Sequence, residues 1–350
     1  MQTVDDVDGR LLNRIQGDFP LVAQPFSVLG DWLELSESDV IARVARMKRD
    51  QIIRQISAIF DTRQLGYKSS LVAMQVPNER VDEAGAIINQ HPGVSHNYRR
   101  NHAYNLWFTI AVPPSVDIAR TVELIGQDTQ ATATRLMPTL RLFKIGVDLD
   151  MTGERGMTAR GKPEYDHTRR ERENPPLTPR EIAVIRELQE DIPLIPKPFQ
   201  AMADRLGASE AQLFAEAQAL VDSARLRRFA AILHHRAAGY KANAMAVWKA
   251  PEESILECGT RMASFRSVSH CYQRPVYPDW PYNLFGMIHG RSAKDCQETV
   301  EAIKAETGLT EYAMLYSSKE YKKTRVRYFS PELDEWHLRH GLAAPLGAQQ

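Results

Sequence analysis

The chain has 350 residues, of which 43% are hydrophobic and 25% are charged, so it can hold two to four soluble globular domains. Its 44 basic and 44 acidic residues balance, which argues against broad electrostatic attraction to nucleic acid. Cys258, Cys271 and Cys296 show no CxxC spacing, so neither a disulfide framework nor a metal site is predicted. An acidic start without an apolar segment, and no apolar run of about 18 residues, predict a cytoplasmic protein that does not cross a membrane.

Three helices are predicted at the start of the chain, within residues 1–52. Leu11 and Ile15 recur with helical spacing, and a second helical stretch covers residues 25–33. Ser36 stands where a helix N-cap is expected and precedes a third amphipathic stretch. This order is typical of a helix-turn-helix domain, although a plain helical bundle would give the same pattern.

Beyond this domain the hydrophobic periodicity changes from helical to alternating. Strands are predicted at 52–61, 67–76, 94–100, 104–112 and 137–147, and helices at 80–91 and 115–127. The order indicates a ferredoxin-like βαββαβ domain over residues 53–150, whose sheet needs a partner for its open face. Residues 151–176 are rich in charge, glycine and proline, which predicts a linker.

The second half of the chain repeats the first. QGDFPLVAQPF at residues 16–26 returns as QEDIPLIPKPF at 189–199, and VSHNYRR at 94–100 returns as VSHCYQR at 268–274. The repeat predicts a second helix-turn-helix domain over 177–225 and a second ferredoxin-like domain over 226–332. The expected fold class is therefore α+β, with the two copies forming a pseudo-twofold pair.

The third helix of the second copy is unsuited to reading DNA. Residues 209–222 contain acidic and amide side chains but no lysine or arginine, so this helix would be repelled by phosphates. The equivalent helix of the first copy keeps Arg43, Arg46 and Lys48. Specific DNA binding is therefore expected to be absent or weak.

The residues that return with least change are polar. Both copies contain a Ser-His-x-Tyr-x-Arg strand followed by Tyr-Asn-Leu. Their retention predicts a site on each copy that faces a shared cavity. His96 lies two residues before Tyr98, as His270 does before Tyr272, so in a strand each pair points to one face.

The segment LSESDVIARVARMKRDQIIRQISAIFDTRQLGY and the ferredoxin-like unit after it resemble the Lrp/AsnC architecture. The later motifs are more specific. VSHNYRRNHAYNLWFTIAVP and VSHCYQRPVYPDWPYNLFGMIHG look like the two subunits of siroheme decarboxylase, and FKIGVDLDM and YKKTRVRYF match the ends of those subunits. The resemblance covers nearly the full chain and implies a natural fusion of both subunits.

This resemblance implies a reaction as well as a fold. Siroheme would lose the carboxyl groups of its C12 and C18 acetates to give didecarboxysiroheme, in haem or d1-haem biosynthesis. No further cofactor would be required, and the iron tetrapyrrole would be bound as substrate or product. Pairing of the two halves would be internal, and a homodimer of such chains is compatible with it.

The chemistry of the repeated motifs suits such a substrate. A carboxylate-rich macrocycle needs cations at its rim, aromatic walls and a proton donor near the reacting acetate. The candidate proton donors are His270, His96, His289 and His102. The candidate substrate contacts are Arg100, Arg274, Arg99, Tyr98, Tyr272, Tyr104, Asn105, Trp107, Tyr282, Asn283, Lys144, Lys322 and Arg325. Tyr277 and Trp280 are further wall candidates.

Each candidate also has a structural interpretation. The histidines could form hydrogen bonds across the interface, one of them could ligate the iron, and each Tyr-Asn-Leu could be strand core with a satisfied amide. Two other functions remain open at this stage, namely an Lrp/AsnC-type transcription regulator and a haem-binding sensor without catalysis. A gel-shift assay tests the first, and a turnover assay tests the second.

Overall fold

The computed structural model describes residues 4–145, 174–233 and 242–342. These residues form two compact units, and both halves of the chain contribute to each. The helix–ribbon unit contains residues up to Gly66 and residues 174–233, and the sheet unit contains residues 67–145 and 242–342. The expected linker at 151–176 lies almost wholly outside the described residues. No helix within them is long and apolar enough to cross a membrane.

Three helices and one strand from each half build the helix–ribbon unit. In the first half they are α1 Asp6–Gly17, α2 Pro25–Leu33, α3 Glu37–Arg49 and β1 Ile53–Phe60. In the second half, residues 178–233 contain α6 Pro179–Leu188, α7 Gln200–Arg205, α8 Glu210–Asp222 and β7 Leu226–Leu233. The predicted cap of α3 is confirmed, because the Ser36 hydroxyl accepts a hydrogen bond from the Asp39 amide.

The two halves of this unit contact one another reciprocally. Strands β1 and β7 pair antiparallel. The Phe19 amide donates to the Phe229 carbonyl at 2.8 Å, and the Ile192 amide donates to the Ile56 carbonyl at 3.1 Å. Phe19 and Ile192 occupy equivalent places in the repeat, so the loop after the first helix of each half binds the strand of the other half.

Three basic residues of α3 are engaged in ion pairs within the unit. Arg43 contacts the buried Asp8 carboxylate at 2.8 Å, and Arg46 binds the same carboxylate. Lys48 lies 2.7 Å from Asp191 of the other half. The cations that the sequence places on a possible DNA-reading helix therefore already have acidic partners.

The sheet unit contains the remaining helices and strands. The first half contributes β2 Lys68–Gln75, α4 Val81–Asn89, β3 Val94–Arg100, β4 Leu106–Val112, α5 Ile118–Asp128, β5 Ala133–Met137 and β6 Arg141–Ile145. The second half contributes β8 Ala242–Trp248, α9 Ile255–Ser264, β9 Val268–Gln273, β10 Leu284–Gly290, α10 Ala293–Thr307, β11 Tyr312–Lys323 and α11 Pro331–Arg339.

Each half forms a four-stranded ferredoxin-like sheet, with strand orders β5-β2-β4-β3 and β11-β8-β10-β9. The last strand of each half also enters the sheet of the other half. Strand β6 pairs with β9, and the C-terminal part of β11 pairs with β3. Lys323 thus lies opposite His96, and Ile145 lies opposite His270. The predicted pseudo-twofold pair of ferredoxin-like domains is confirmed, and exchanged strands hold it together.

Hydrophobic side chains form three cores around these sheets. One core lies between the first sheet and its helices, and a second between the other sheet and its helices, where all three cysteines are buried without disulfides. The third joins the inner faces of the two sheets through Ala73 and Trp107 on one side and Met245, Val247 and Phe285 on the other. The open face of each sheet therefore covers that of its partner, as expected for half-buried sheets.

Two elements differ from their sequence expectation. Strands β1 and β7 pair with each other outside the ferredoxin-like sheets, so the strand expected at 52–61 belongs to the helix–ribbon unit. The strand expected at 137–147 is divided into β5 and β6, with Pro138 in the gap. Proline has no amide hydrogen to continue a ladder, and the break directs β6 to the other sheet.

Helix α11 packs on the first half through a cluster of aromatic rings. The His91 ring lies 4.2 Å from that of Trp336 and 5.3 Å from that of His337. Both histidines are buried, and burial lowers the pKa of His337 to about 4 and that of His91 well below its usual range. The folded chain therefore holds these rings neutral, whereas the unfolded chain protonates them near pH 6.5.

We expect acid to weaken the fold through this cluster. Between pH 6.5 and 4 the unfolded chain binds more protons than the folded chain, so stability falls as the pH falls, by about 1.4 kcal/mol for each unit of pKa difference. His337→Leu should reduce this loss. Thermal unfolding at pH 6.5 and at pH 4 measures this loss, with Leu338→Ala, at a 52% exposed position of the same helix, as control. An equal pH dependence in wild type and His337→Leu would contradict the assignment.

Candidate functional site

A β-bulge interrupts both Ser-His strands at equivalent positions. The pairing of β3 with β4 shifts between Val94 and His96, and the pairing of β9 with β10 shifts at the same place. The extra residue brings the serine and histidine side chains together. The Ser95 hydroxyl oxygen lies 3.0 Å from His96 Nδ1, and the Ser269 hydroxyl oxygen lies 2.8 Å from His270 Nδ1.

A histidine, a tyrosine and an arginine follow one another along the same face of each strand. Ring centroids of His96 and Tyr98 are 6.2 Å apart, and those of His270 and Tyr272 are 6.1 Å apart. The guanidinium of Arg100 lies 5.5 Å from the centre of the Tyr98 ring, and that of Arg274 lies 4.6 Å from that of Tyr272. The two-residue spacing in the sequence therefore places three functional groups in a row.

These rows face the space between the two sheets. Arg100 donates a hydrogen bond of 2.7 Å to the Leu315 carbonyl of β11, and Arg274 donates to the Met137 carbonyl of β5. Leu315 and Met137 both belong to the core between the inner faces. Each arginine is thus positioned by a strand of the other half, Arg100 by β11 and Arg274 by β5.

Both arginines are buried cations. Arg100 is 5% exposed and Arg274 is 8% exposed, and burial lowers the pKa of each guanidinium to about 10, so both stay charged at neutral pH. Within the described residues, neither guanidinium has a carboxylate partner, and both Nε atoms are buried without a hydrogen bond. A buried cation without an anion is costly, which favours the binding of an anionic group on this face.

The second half adds a further imidazole to its row. Ser269 Oγ lies 2.8 Å from His289 Nε2 as well as 2.8 Å from His270 Nδ1. His289 comes from the neighbouring strand β10, which runs antiparallel to β9. The first half has Ala111 at the equivalent place, so the two rows are not chemically equal.

A polar contact docks the loop of the second half onto the first half. The Tyr104 hydroxyl donates to Asp279 at 2.7 Å, and Arg135 binds the same carboxylate at 2.8 Å. Hydrogen bonds from Arg135 and Tyr104 hold the pKa of Asp279 at about 2, and burial together with Asp279 raises the pKa of Tyr104 to about 12. The Tyr277 hydroxyl of this loop donates to the Leu136 carbonyl at 2.5 Å.

Trp280 is the centre of an aromatic cluster next to this contact. Its side chain is fully buried, and the distances between ring centroids run from 5.1 Å for Trp107 to 6.2 Å for Phe285. His102, Tyr104 and Tyr282 complete the cluster. Burial lowers the pKa of His102, whose Nδ1 accepts from the Tyr104 amide at 3.0 Å. These side chains fill the space between the sheets and leave the histidine–tyrosine–arginine rows as its polar part.

The side chains of Asn105 and Asn283 form hydrogen bonds with the backbone of a neighbouring strand end. The Asn105 side chain forms two hydrogen bonds with the backbone of Val76, at 3.0 Å and 2.7 Å. Asn283 forms the same pair with Ala250, at 2.9 Å and 2.8 Å. Each asparagine therefore joins the start of one strand to the end of its neighbour.

The lysines also bind backbone. Lys144 donates to the Phe265 carbonyl at 2.7 Å, and Lys322 donates to the His91 carbonyl at 3.1 Å. These carbonyls lie beyond the C-terminal ends of helices α9 and α4, where a cation is favoured. Both lysines thus attach a final strand to a helix of the other half.

The remaining two cations differ in their positions. Arg99 follows Asn97, which binds the Gly85 carbonyl of α4 at 3.0 Å, so these two side chains face the helices. The charge of Arg99 lowers the pKa of Asp82 on that helix, after stronger effects of Tyr321 and Lys319. Arg325 comes two residues after the end of β11, and the preceding Thr324 amide donates to the Ser95 carbonyl at 2.6 Å, so its backbone lies near the Ser95–His96 end of the first row. The structure therefore brings together only part of the predicted set.

The sequence alone did not identify two features of the site. The hydroxyls of Ser95 and Ser269 were seen only as part of a repeated motif, although each directly precedes a candidate histidine in both copies. The pairing of Tyr104 with Asp279 and Arg135 has no signal in the sequence, because these residues lie far apart along the chain.

Comparison with known families agrees with this architecture. A family model described as an AsnC-like ligand binding domain matches residues 64–144 and 237–322. A second model, described as a siroheme decarboxylase NirDL-like HTH domain, matches residues 8–54 and 181–227. The fold and site therefore define an Lrp/AsnC-like protein with two copies of each domain in one chain.

Individual relatives narrow this class. Siroheme decarboxylase of Hydrogenobacter thermophilus is 40% identical over 328 residues, covering 93% of this chain and 96% of the relative. The siroheme decarboxylase beta subunit of Methanosarcina barkeri is 43% identical over 147 residues, covering 42% of this chain and 97% of the relative. The crystal structure of the siroheme decarboxylase NirDL in co-complex with an iron-uroporphyrin III analogue is 34% identical, with a TM-score of 0.75, covering 96% of this chain and 99% of that chain. The chain belongs to the siroheme decarboxylase family.

We expect Trp280 to be essential for the docking of the loop. Trp280→Ala should lower the free energy of unfolding by about 3–5 kcal/mol, because it removes a fully buried ring and leaves a cavity between the two halves. Urea denaturation followed by circular dichroism measures this loss. Leu140→Ala, at a 59% exposed position of the same unit, should change the free energy by about 0.5 kcal/mol or less. Similar losses in both variants would show that the aromatic cluster is not a stabilising contact.

Proposed function

We propose that the chain decarboxylates siroheme in the space between its two sheets. The sequence predicts a carboxy-lyase, and this agrees with the relatives. Two siroheme decarboxylases match this chain over nearly their whole length. A related enzyme has been solved with an iron-uroporphyrin III analogue, which supports a bound iron tetrapyrrole as substrate. The observation in this structure that carries the proposal is the pair of buried arginines that lack a carboxylate partner within the described residues.

These arginines account for recognition of the substrate. Each guanidinium is buried, cationic and aligned with a tyrosine ring and a histidine on the inner face of a sheet. A carboxylate that reaches such a guanidinium removes the cost of the unpaired charge and is oriented by directed N–H donors. Tyr98 and Tyr272 offer flat surfaces beside these charges. We propose that the macrocycle packs against the rings of Tyr98 and Tyr272, and that its carboxylates bind Arg100 and Arg274.

The histidines account for the chemistry. In each decarboxylation the bond between the acetate methylene and the carboxyl carbon breaks, and carbon dioxide leaves without the electron pair. That pair stays on the methylene carbon, in conjugation with the macrocycle, until a new C–H bond forms. The N–H of a histidine supplies this proton, and the proton-donating group loses one positive charge, which suits the ordinary pKa range of histidine. We assign this role first to His270 and His96, and the proposal uses no cofactor besides the iron tetrapyrrole itself.

Anaerobic incubation with siroheme followed by mass spectrometry tests the function. The expected result is a product that is lighter than siroheme by two molecules of carbon dioxide. Binding of siroheme without any change in mass would instead make the chain a tetrapyrrole-binding sensor and would refute the catalytic proposal.

Single substitutions test the histidine roles. We expect His270→Ala or His96→Ala to lower the rate of carbon dioxide loss by about 10²–10⁴-fold while the visible spectrum of the bound ferric complex is unchanged. A shifted spectrum would show that the altered histidine ligates the iron. Rates near wild type for both variants would move the proton donor to His289 or His102.

Binding measurements test the arginine roles. We expect Arg100→Gln and Arg274→Gln each to weaken tetrapyrrole binding by about tenfold to a hundredfold, since a charge-assisted contact contributes roughly 1.5–3 kcal/mol. Arg99→Gln is the control, because Arg99 faces the helices. Titration with an iron-uroporphyrin analogue measures all three. Wild-type affinity in both inner-face variants would leave their bonds to backbone carbonyls as the role of these arginines.

DNA binding is the competing function, and the structure does not favour it. Helix α8 contains no lysine or arginine, and Arg43, Arg46 and Lys48 of α3 are paired with Asp8 or Asp191. We therefore expect no defined footprint on DNA at moderate salt. The double variant Arg43→Ala/Arg46→Ala should leave any residual nonspecific affinity nearly unchanged, whereas a protected operator sequence would support a regulator.

A further inference from the structure

One hydroxyl joins two imidazoles in the second half of the chain. Ser269 is 3% exposed, and its Oγ lies 2.8 Å from His270 Nδ1, 2.8 Å from His289 Nε2 and 3.3 Å from the Met287 carbonyl oxygen. The β-bulge at this point turns the serine toward its neighbouring histidine, and strand β10 supplies the other two groups.

The hydrogen count of this cluster restricts how it can be protonated. A serine hydroxyl has one hydrogen to donate and can accept two hydrogen bonds. When that hydrogen points to His270 Nδ1, His289 Nε2 must carry a hydrogen to contact the oxygen. When it points to His289 Nε2, the hydrogen must instead lie on His270 Nδ1. When it points to the Met287 carbonyl oxygen at 3.3 Å, both ring nitrogens must carry a hydrogen. The first two arrangements differ only by protons that move along the line from one ring to the other.

We infer that Ser269 is a positioning residue that couples His270 to His289, so that a proton from His289 replaces the one that His270 gives to the substrate, as that transfer takes place. This inference rests on the proposed function. His270 Nε2 is the ring nitrogen on the side away from the Ser269 contact, and it is the atom assigned to the substrate.

The transfer balances in atoms and charge. His270 Nε2–H forms the new C–H bond on the methylene carbon. As it does so, the Ser269 hydroxyl hydrogen moves to His270 Nδ1, and the hydrogen on His289 Nε2 moves to Ser269 Oγ. His289 begins as an imidazolium and ends as neutral imidazole, whereas His270 is neutral before and after. Removal of two carboxyl groups from one siroheme consumes two protons. A second imidazole that replaces the proton of His270 therefore prepares His270 for the second decarboxylation.

The first half provides the natural comparison. Ser95 also contacts its neighbour, His96, at 3.0 Å. Ala111 stands where the second half has His289, so no imidazole can occupy that place. The coupling can therefore operate only in the second half, and Ser95 serves as a matched control for Ser269.

Kinetics of both serine variants test this inference. We expect Ser269→Ala to lower the turnover number for carbon dioxide loss by about tenfold to a hundredfold, with little change in KM, as is typical when a partner that orients a histidine is removed. Ser269→Thr, which keeps the hydroxyl, should restore most of the rate. Ser95→Ala removes the matching hydroxyl where it contacts one imidazole, so its turnover number should fall clearly less than that of Ser269→Ala. Equal losses in the two alanine variants, or no loss in either, would overturn the inference.

A measurement without turnover separates coupling from folding. Nitrogen NMR of isotope-labelled histidines in the full ligand-free chain reports which ring nitrogen carries hydrogen. Ser269→Ala should change the His270 and His289 signals, and Ser95→Ala should leave the His289 signal unchanged. An unchanged His289 signal in Ser269→Ala would contradict the coupling. If wild type itself releases no carbon dioxide, the proposed function fails, whereas an active wild type with an equally active Ser269→Ala refutes only the coupling.

Discussion

The exchange of final strands between the two halves is the constraint on which the candidate site depends. The C-terminal part of β11 lies beside β3, and β6 lies beside β9, so each Ser-His strand is flanked by the other half. The arginine of each row binds a carbonyl on a strand of the other half, and Lys144 and Lys322 bind helix ends in the same crossed way. Neither half can therefore form its row alone. The half-length beta subunit among the relatives suggests that the same pairing can be made between separate chains.

Burial then determines what the rows can bind. The buried arginines are desolvated, so their charge acts in a medium that screens it weakly. The aromatic cluster around Trp280 excludes water from the other part of the inner space. An anionic group on a flat macrocycle meets both conditions, because it neutralises the cations and covers the tyrosine rings. The same low polarity favours the departure of neutral carbon dioxide from a charged carboxylate.

The two halves have diverged within this symmetric frame. The second half has His289 and the longer loop with Asp279 and Trp280, whereas the first half has Ala111 and the residues that receive this loop, Tyr104 and Arg135. In a fused chain the two copies can diverge, because a substitution in one copy does not appear in the other. The second half thereby holds a larger set of titratable groups, and the first half holds the surface on which the loop is docked.

Short-range features of this protein were determined by its sequence alone. The caps, the helical faces and the repeated motif predicted the domain types, their duplication and the face shared by His96 and Tyr98, since these depend on neighbours a few residues apart. Only the tertiary structure decided that β1 pairs with β7, that Asn105 and Lys144 bind backbone, and that Ser269 reaches His289. Those outcomes depend on strand register and on the position of a bulge. Register is set by the packing of segments far apart in the chain, and a shift of one residue would turn each side chain to the opposite face.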